Sequence, residues 1–421
     1  MRENAVCALL AGAASATMAW LGLYGFAWND YDNEARPAFD ALVHGHAVEF
    51  LRLVPAYGGS LVERAPFALI PSLWGGGQLA VYRMVSLPCL LAAAALAVWL
   101  LGRMRTEGRP GLARSVVLGL CVANPLTLSA LELGHPEELL GACMCVAAVL
   151  LASRDRPLLA AVLLGLAIAN KEWALLAIGP VLLALPKKRR LPCLALAGLL
   201  ATTVLLPLAL VASGAFLASS RGIAVPAATI FQPWQLWWFL GHHGALVHGL
   251  FGAPKVGYRI GPAWTDAVSH PLILLAGGAM TGALWLTRRR GAGHGRPLSE
   301  RDALLALALL LLMRCLLDTW DAVYYPLPFL LALLAWETRT PSISRPPVLA
   351  LSSTVLAWIS FQWLPLHVSP DAQSAFFLAW TLPLVALLAH ALYAPGRALV
   401  ERRELLRQAG EPLVPALPNH G

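Results

Sequence analysis

Apolar residues run along this chain in long blocks, and polar residues gather in the gaps between them. The blocks fall at 5–27, 79–102, 114–131, 137–152, 158–170, 173–185, 191–213, 268–287, 302–316, 322–337, 346–364 and 373–394. The longest reach the ~20 residues that a helix needs to cross a bilayer. They lack the two-residue alternation of a barrel strand. In hydrocarbon a segment must satisfy its own backbone hydrogen bonds, so blocks of this kind predict helices. The fold class expected is all-α: a polytopic membrane protein with about 10–12 transmembrane helices. The pair 158–170 and 173–185 is short, about 20 Å per segment at 1.5 Å per residue. It predicts either a hairpin that stops short of a full crossing or one whose tip sits in polar surroundings. The first block spans ~23 residues, longer than the apolar core of a signal peptide, and is read as a retained helix.

Composition agrees with the blocks. Hydrophobic residues make up 58% of the 421 positions and charged residues 13%, against about 25% charged in soluble domains. The net charge of +8 does not point to nucleic acid. Lys and Arg collect in alternate gaps, at Arg103 to Arg114, Arg154 and Arg156, Lys187 to Arg190, Arg288 to Arg301, Arg339 and Arg345, and Arg397 to Arg407. Cytoplasmic loops carry such an excess, which places both termini inside a cell membrane. The division expected is one transmembrane domain, 1–394, and a basic cytoplasmic tail, 395–421. Two long segments then lie outside. Residues 28–78 include "VERAPFALIPSLWGGG", an amphipathic stretch suited to a short interfacial helix. Residues 214–267 include Trp234, Trp237 and Trp238, expected at the headgroup level. The seven cysteines lie in or beside apolar blocks and are read as packing residues.

This topology gathers ionisable residues at the outer helix ends. Such residues are costly near hydrocarbon and often mark a site. "WNDYDNEARPAFD" holds Asp30, Asp32, Glu34 and Asp40, directly after the first block; the bland alternative is a solvated loop. "LGHPEELL" holds His135, Glu137 and Glu138; Pro136 followed by acids is also an ordinary helix start. "AIANKEWALL" puts Lys171 and Glu172 at the hairpin tip, either as a wet turn or as a compact cation for a phosphate. "LLDTWDAVYYPLP" holds Asp318, Trp320, Asp321, Tyr324 and Tyr325, either a helix cap or a wall for a sugar or lipid head. Neither a phosphate-cradling glycine loop nor an HExxH or GxSxG motif is present.

Four of these stretches, in this order, resemble glycosyltransferase family 87, the polyprenol-phosphate-mannose-dependent transferases of the glycosyltransferase-C superfamily. The family has an Asp after its first helix and then a short helix ending A-L-L-x-G; here "YDNEARPAFDALVHGH" stands. Its G-Q-x-N-x-L-L element is similar to "GHPEELL", its G-L-A-x-x-x-K element to "GLAIANKEWALL", and its late S-W-x-H-Y element to "DTWDAVYYPLP". The chain departs from the pattern at His135 and Glu137, where the family has Gln and Asn, and at Ala322, in the region of the family's His. The family's YPP element is reduced to "ERAPFALIP".

The resemblance implies a glycosyltransferase-C-like fold and an inverting transfer of a sugar, mannose or another hexose or pentose. The donor would be a polyprenyl-phosphate-linked sugar, and the acceptor a glycolipid or cell-envelope glycan on the outer face. The roles it implies are a carboxylate base at Asp32 or Asp30, with Asp32 preferred for its place next to the short helix. Lys171, Arg36, Arg64 and His135 would hold the donor phosphate. Glu34, Glu137, Glu138, Glu172, Trp320, Asp321, Tyr324 and Tyr325 would hold sugar or acceptor. No cofactor, no metal and no nucleic-acid partner are expected. The rival classes are a transporter or lipid flippase with outward-facing ionisable residues, and a non-catalytic scaffold.

Overall fold

A computed structural model describes residues 30–55, 58–224, 231–243, 259–290, 296–339 and 346–393, together with positions 9, 12, 13 and 17 and the pairs 247–248 and 254–255. The first expected helix, 5–27, and the basic tail, 395–421, lie outside the described residues apart from those four positions.

The described chain is helical almost throughout. A π-helical turn (Tyr31–Ala35) leads into α1 (Arg36–Val43), followed by α2 (Ala47–Leu53) and α3 (Gly59–Ala68). Then come α4 (Gln78–Thr106), α5 (Gly111–Val122), α6 (Pro125–Leu133), α7 (Glu137–Ala152) and α8 (Pro157–Asn170). A 3-10 segment (Glu172–Ala177) separates α8 from α9 (Ile178–Ala184). The remainder is α10 (Lys187–Val211), α11 (Ser213–Ala224), α12 (Ala263–Arg290), α13 (Glu300–Leu317), α14 (Leu327–Thr338), α15 (Val348–Trp358) and α16 (Pro370–Tyr393). Among the described residues, six helical stretches are long and apolar enough to cross a membrane. The chain is an all-α, multi-pass membrane protein.

The layering follows from the side chains. Helices α7, α13 and α14 are apolar through most of their length and buried on nearly every side, as expected for central helices. Helix α8 packs against α7 and α10, α13 packs against α14, and α4 packs against α7. Helices α10, α12 and α16 leave most of their apolar surface outside, as lipid-facing helices do. Cys89, Cys121, Cys143, Cys145, Cys193 and Cys315 are buried and unbridged, in keeping with a packing role.

Breaks in this pattern have local causes. The block 114–131 is two helices, because Asn124 caps α6 by accepting from Leu126 N at 2.9 Å and Pro125 takes its first position. The block 322–337 starts late, at Leu327, because residues 318–326 form an irregular turn ending at Pro326. Lys171 is extended (φ −153°, ψ 137°) and separates α8 from the 3-10 segment. The tryptophans expected at the headgroup level are tied into the protein by hydrogen bonds. Trp238 is fully buried and Trp237 nearly so; their ring nitrogens donate to Asp371 and to Leu317 O, and that of Trp234 to Ser360 O. An indole N–H and its ring are both satisfied in such a plug between α13 and α16.

Candidate active site

Two close backbone approaches assemble the site. Gly134 ends α6 in the left-handed conformation (φ 91°), and a Cβ there would lie 2.7 Å from Tyr31 Cβ. Only glycine meets both demands. The segment carrying Asp30 is therefore drawn against the turn carrying His135. Gly59, at the start of α3, rests on the end of α8; a Cβ there would lie 2.0 Å from Ala169 O. This contact sets Ser60 and Arg64 beside Lys171.

Four elements thus contribute to one charged cluster. Glu137, in the first turn of α7, accepts from His135 Nδ1 at 2.9 Å, Lys171 Nζ at 3.2 Å and Arg64 Nη2 at 3.3 Å. Its backbone carbonyl accepts from Asn170 Nδ2 at 2.9 Å. Arg64 is anchored by donating to Ser60 O at 3.1 Å. The other ring nitrogen of His135 lies 3.1 Å from Asp30 Oδ2, and its ring packs on Tyr324 at 4.4 Å. Lys171 also stands 3.8 Å from Glu138, which lies 3.9 Å from Arg314. The guanidinium of Arg314 is sandwiched by Tyr325 at 4.3 Å and Trp173 at 5.4 Å.

Asp30, Glu34, Arg64, His135, Glu137 and Lys171 line a cavity of about 20 Å³, room for one water-sized group. Its floor is cationic: Arg64 and His135 are buried there around Glu137, and the Lys171 side chain is 11% exposed. Its mouth is acidic: Glu34 is exposed and the Asp30 side chain is 40% exposed. Burial pulls the imidazole pKa of His135 down, but its bonds to Asp30 and Glu137 outweigh burial and raise it to about 9. Burial also opposes charge on Lys171, yet Glu137 and Glu138 hold it above its ordinary value. Both groups are cationic at neutral pH. For His135 the folded-state pKa exceeds the unfolded ~6.5. Its bonds therefore add stability that is complete below pH ~6.5 and is lost as pH rises through about 9. Thermal unfolding in detergent should show a midpoint that falls across this window, and His135→Gln should flatten that fall.

The other expected residues stand elsewhere. Asp32 lies off the cavity, 2.9 Å from Arg36, which also reaches Asp40 at 3.6 Å. Tyr324 touches His135, Tyr325 touches Arg314, and the two rings touch each other at 5.4 Å. Glu172 is half-buried beside Lys171 and does not line the cavity. Trp320 is 43% exposed and outside it. Asp321 is buried behind, where burial and neighbouring Asp318 push its carboxyl well above the usual range. Sequence reasoning missed Arg314, Ser60 and Asn170. Arg314 had a signal: it is one arginine inside the apolar run of α13, and such a residue needs a partner.

The sequence profile of glycosyltransferase family 87 matches residues 59–317, more than half of the chain. Neither a curated protein nor a solved structure matches it.

Proposed function

The chain belongs to glycosyltransferase family 87 and is a membrane glycosyltransferase, and on that premise we propose that it moves a sugar from a polyprenyl-phosphate donor to a hydroxyl of a glycolipid or cell-envelope glycan. In this reading the enzyme sits in the cell membrane with both termini cytoplasmic and the site on the outer face. The basic loops and the cluster lie at opposite ends of the same helices: α4 ends at Arg103 and Arg105, and α7 starts at Glu137 and runs to the turn of Arg154. The positive-inside rule then turns the cluster outward.

The observation that carries the proposal is the cationic floor under an acidic mouth. Transfer is a single displacement. The acceptor oxygen attacks the anomeric carbon, the bond from that carbon to the phosphate oxygen breaks, and the acceptor proton passes to a carboxylate. The configuration inverts. The leaving polyprenyl phosphate gains a negative charge, which Lys171, Arg64 and protonated His135 are placed to meet. Asp30 is assigned as the base, with Asp32 second. Asp30 borders the cavity and His135 orients one of its oxygens, whereas Asp32 is engaged with Arg36. Glu34 is assigned to acceptor or sugar hydroxyls at the mouth, with Tyr324 bracing His135. The cavity as it stands admits a water-sized group, so donor binding widens the mouth at the Tyr31–Ala35 turn.

Purified protein in vesicles with a radiolabelled mannosyl polyprenyl phosphate and a membrane lipid extract tests the proposal. Label moving to a new lipid with inverted anomeric configuration supports it. Retention of configuration, use of a nucleotide sugar instead, or movement of intact glycolipid across the bilayer without transfer contradicts it.

A further inference from the structure

A second cavity, about 630 Å³, shares no lining residue with the first and lies between α12 and the 3-10 segment with α9. Its walls are leucines, glycines and Trp285, with Thr281 and Arg190 as the polar lining groups. A volume of this order holds a ligand of lipid-chain or drug size. Gly278 and Gly282 open it: a Cβ on either would meet nothing within 4 Å. Arg190 stands on the basic face, after Lys187 and Lys188, and its Nε donates to Leu185 O at 3.1 Å. Its terminal nitrogens have no protein partner among the described residues.

We propose that this groove holds an acyl chain of an anionic phospholipid from the leaflet on the basic face, with the lipid phosphate on Arg190. Charge complementarity selects the occupant. A zwitterionic headgroup also brings a phosphate, but it sets its own cation beside Arg190, Lys187 and Lys188, which an anionic headgroup does not. The polyprenyl tail of a donor whose phosphate sits at Lys171, about 20 Å away along the 3-10 segment and α9, would bring only uncharged isoprene to Arg190. An anionic headgroup uses Arg190, with exposed Lys187 and Lys188 at hand to add to the local field. The inference does not depend on the transfer chemistry.

Native mass spectrometry of delipidated full-length protein, titrated separately with phosphatidylglycerol, phosphatidylcholine and polyprenyl phosphate, decides it. Phosphatidylglycerol should bind about fivefold more tightly than phosphatidylcholine. Arg190→Gln should abolish that preference and Arg190→Lys should keep it. Gly278→Leu, whose Cβ would meet nothing within 4 Å and whose side chain would enter the groove, should weaken phosphatidylglycerol and leave polyprenyl phosphate unchanged. Equal affinity for the two phospholipids in the native protein overturns the proposal. So does Gly278→Leu weakening polyprenyl phosphate alone, which would assign the groove to the donor tail. An unchanged phosphatidylglycerol affinity in a folded Gly278→Leu variant overturns it too, by showing the groove closed to lipid.

Discussion

Glu137→Leu is expected to destabilise the protein more than any other single change in the cluster. Glu137 is the buried acceptor shared by His135, Lys171 and Arg64. Its removal leaves three cations facing one another, with Asp30 still 3.1 Å from His135 and Glu138 3.8 Å from Lys171. Breaking a buried ion pair from one side costs about 3–5 kcal/mol, because the partner charge stays behind uncompensated. Glu137→Gln keeps an acceptor oxygen in place and should lose much less. Denaturant or thermal unfolding in detergent measures both. A Glu137→Leu variant that unfolds with the native midpoint would mean that the cations are not held together as described.

Asp30→Asn is expected to reduce turnover about 10²–10⁴-fold, the usual contribution of a positioned general base. The substitution keeps an oxygen for His135 and removes the ability to take a proton. Folding and donor binding should therefore survive. Asp32→Asn breaks a half-exposed ion pair with Arg36, an interaction worth about 0–1 kcal/mol at a surface, so turnover should fall by less than about tenfold. The reverse ranking in a transfer assay would return the base role to Asp32 and move the reacting centre off the cavity. Indifference to both changes would favour a scaffold.

Helix-scale order was legible because hydrocarbon leaves few alternatives. Blocks 137–152 and 158–170 became α7 and α8 almost residue for residue. Two short helices meeting at Lys171 were legible from the short blocks; that they pack on α7 and α10 rather than on each other was not. The choice between Asp30 and Asp32 was not legible. Two residues apart in a chain, they differ in which side of a π-helical turn they leave, and that depends on Tyr31 passing against Gly134. Proximity in sequence to α1 favoured Asp32, and the same proximity ties it to Arg36 one helical turn on. Arg64 could be suspected from its type alone; its place beside Glu137 depends on Gly59 meeting Ala169, 110 positions later, and no local pattern records that. The partners of Trp237 and Trp238 were not legible, because Leu317 and Asp371 stand 80 and 133 positions away and no local pattern names them.

Binding of polyprenyl phosphate to Lys171 variants tests the central assignment most directly. With folding confirmed by thermal unfolding, Lys171→Met should weaken the lipid phosphate about 10–100-fold, the loss expected for a charge-assisted hydrogen bond. Lys171→Arg should recover part of that loss, and Asp30→Asn should bind like the native protein. A folded Lys171→Met variant that keeps native affinity would show that the phosphate binds away from the cluster around Glu137.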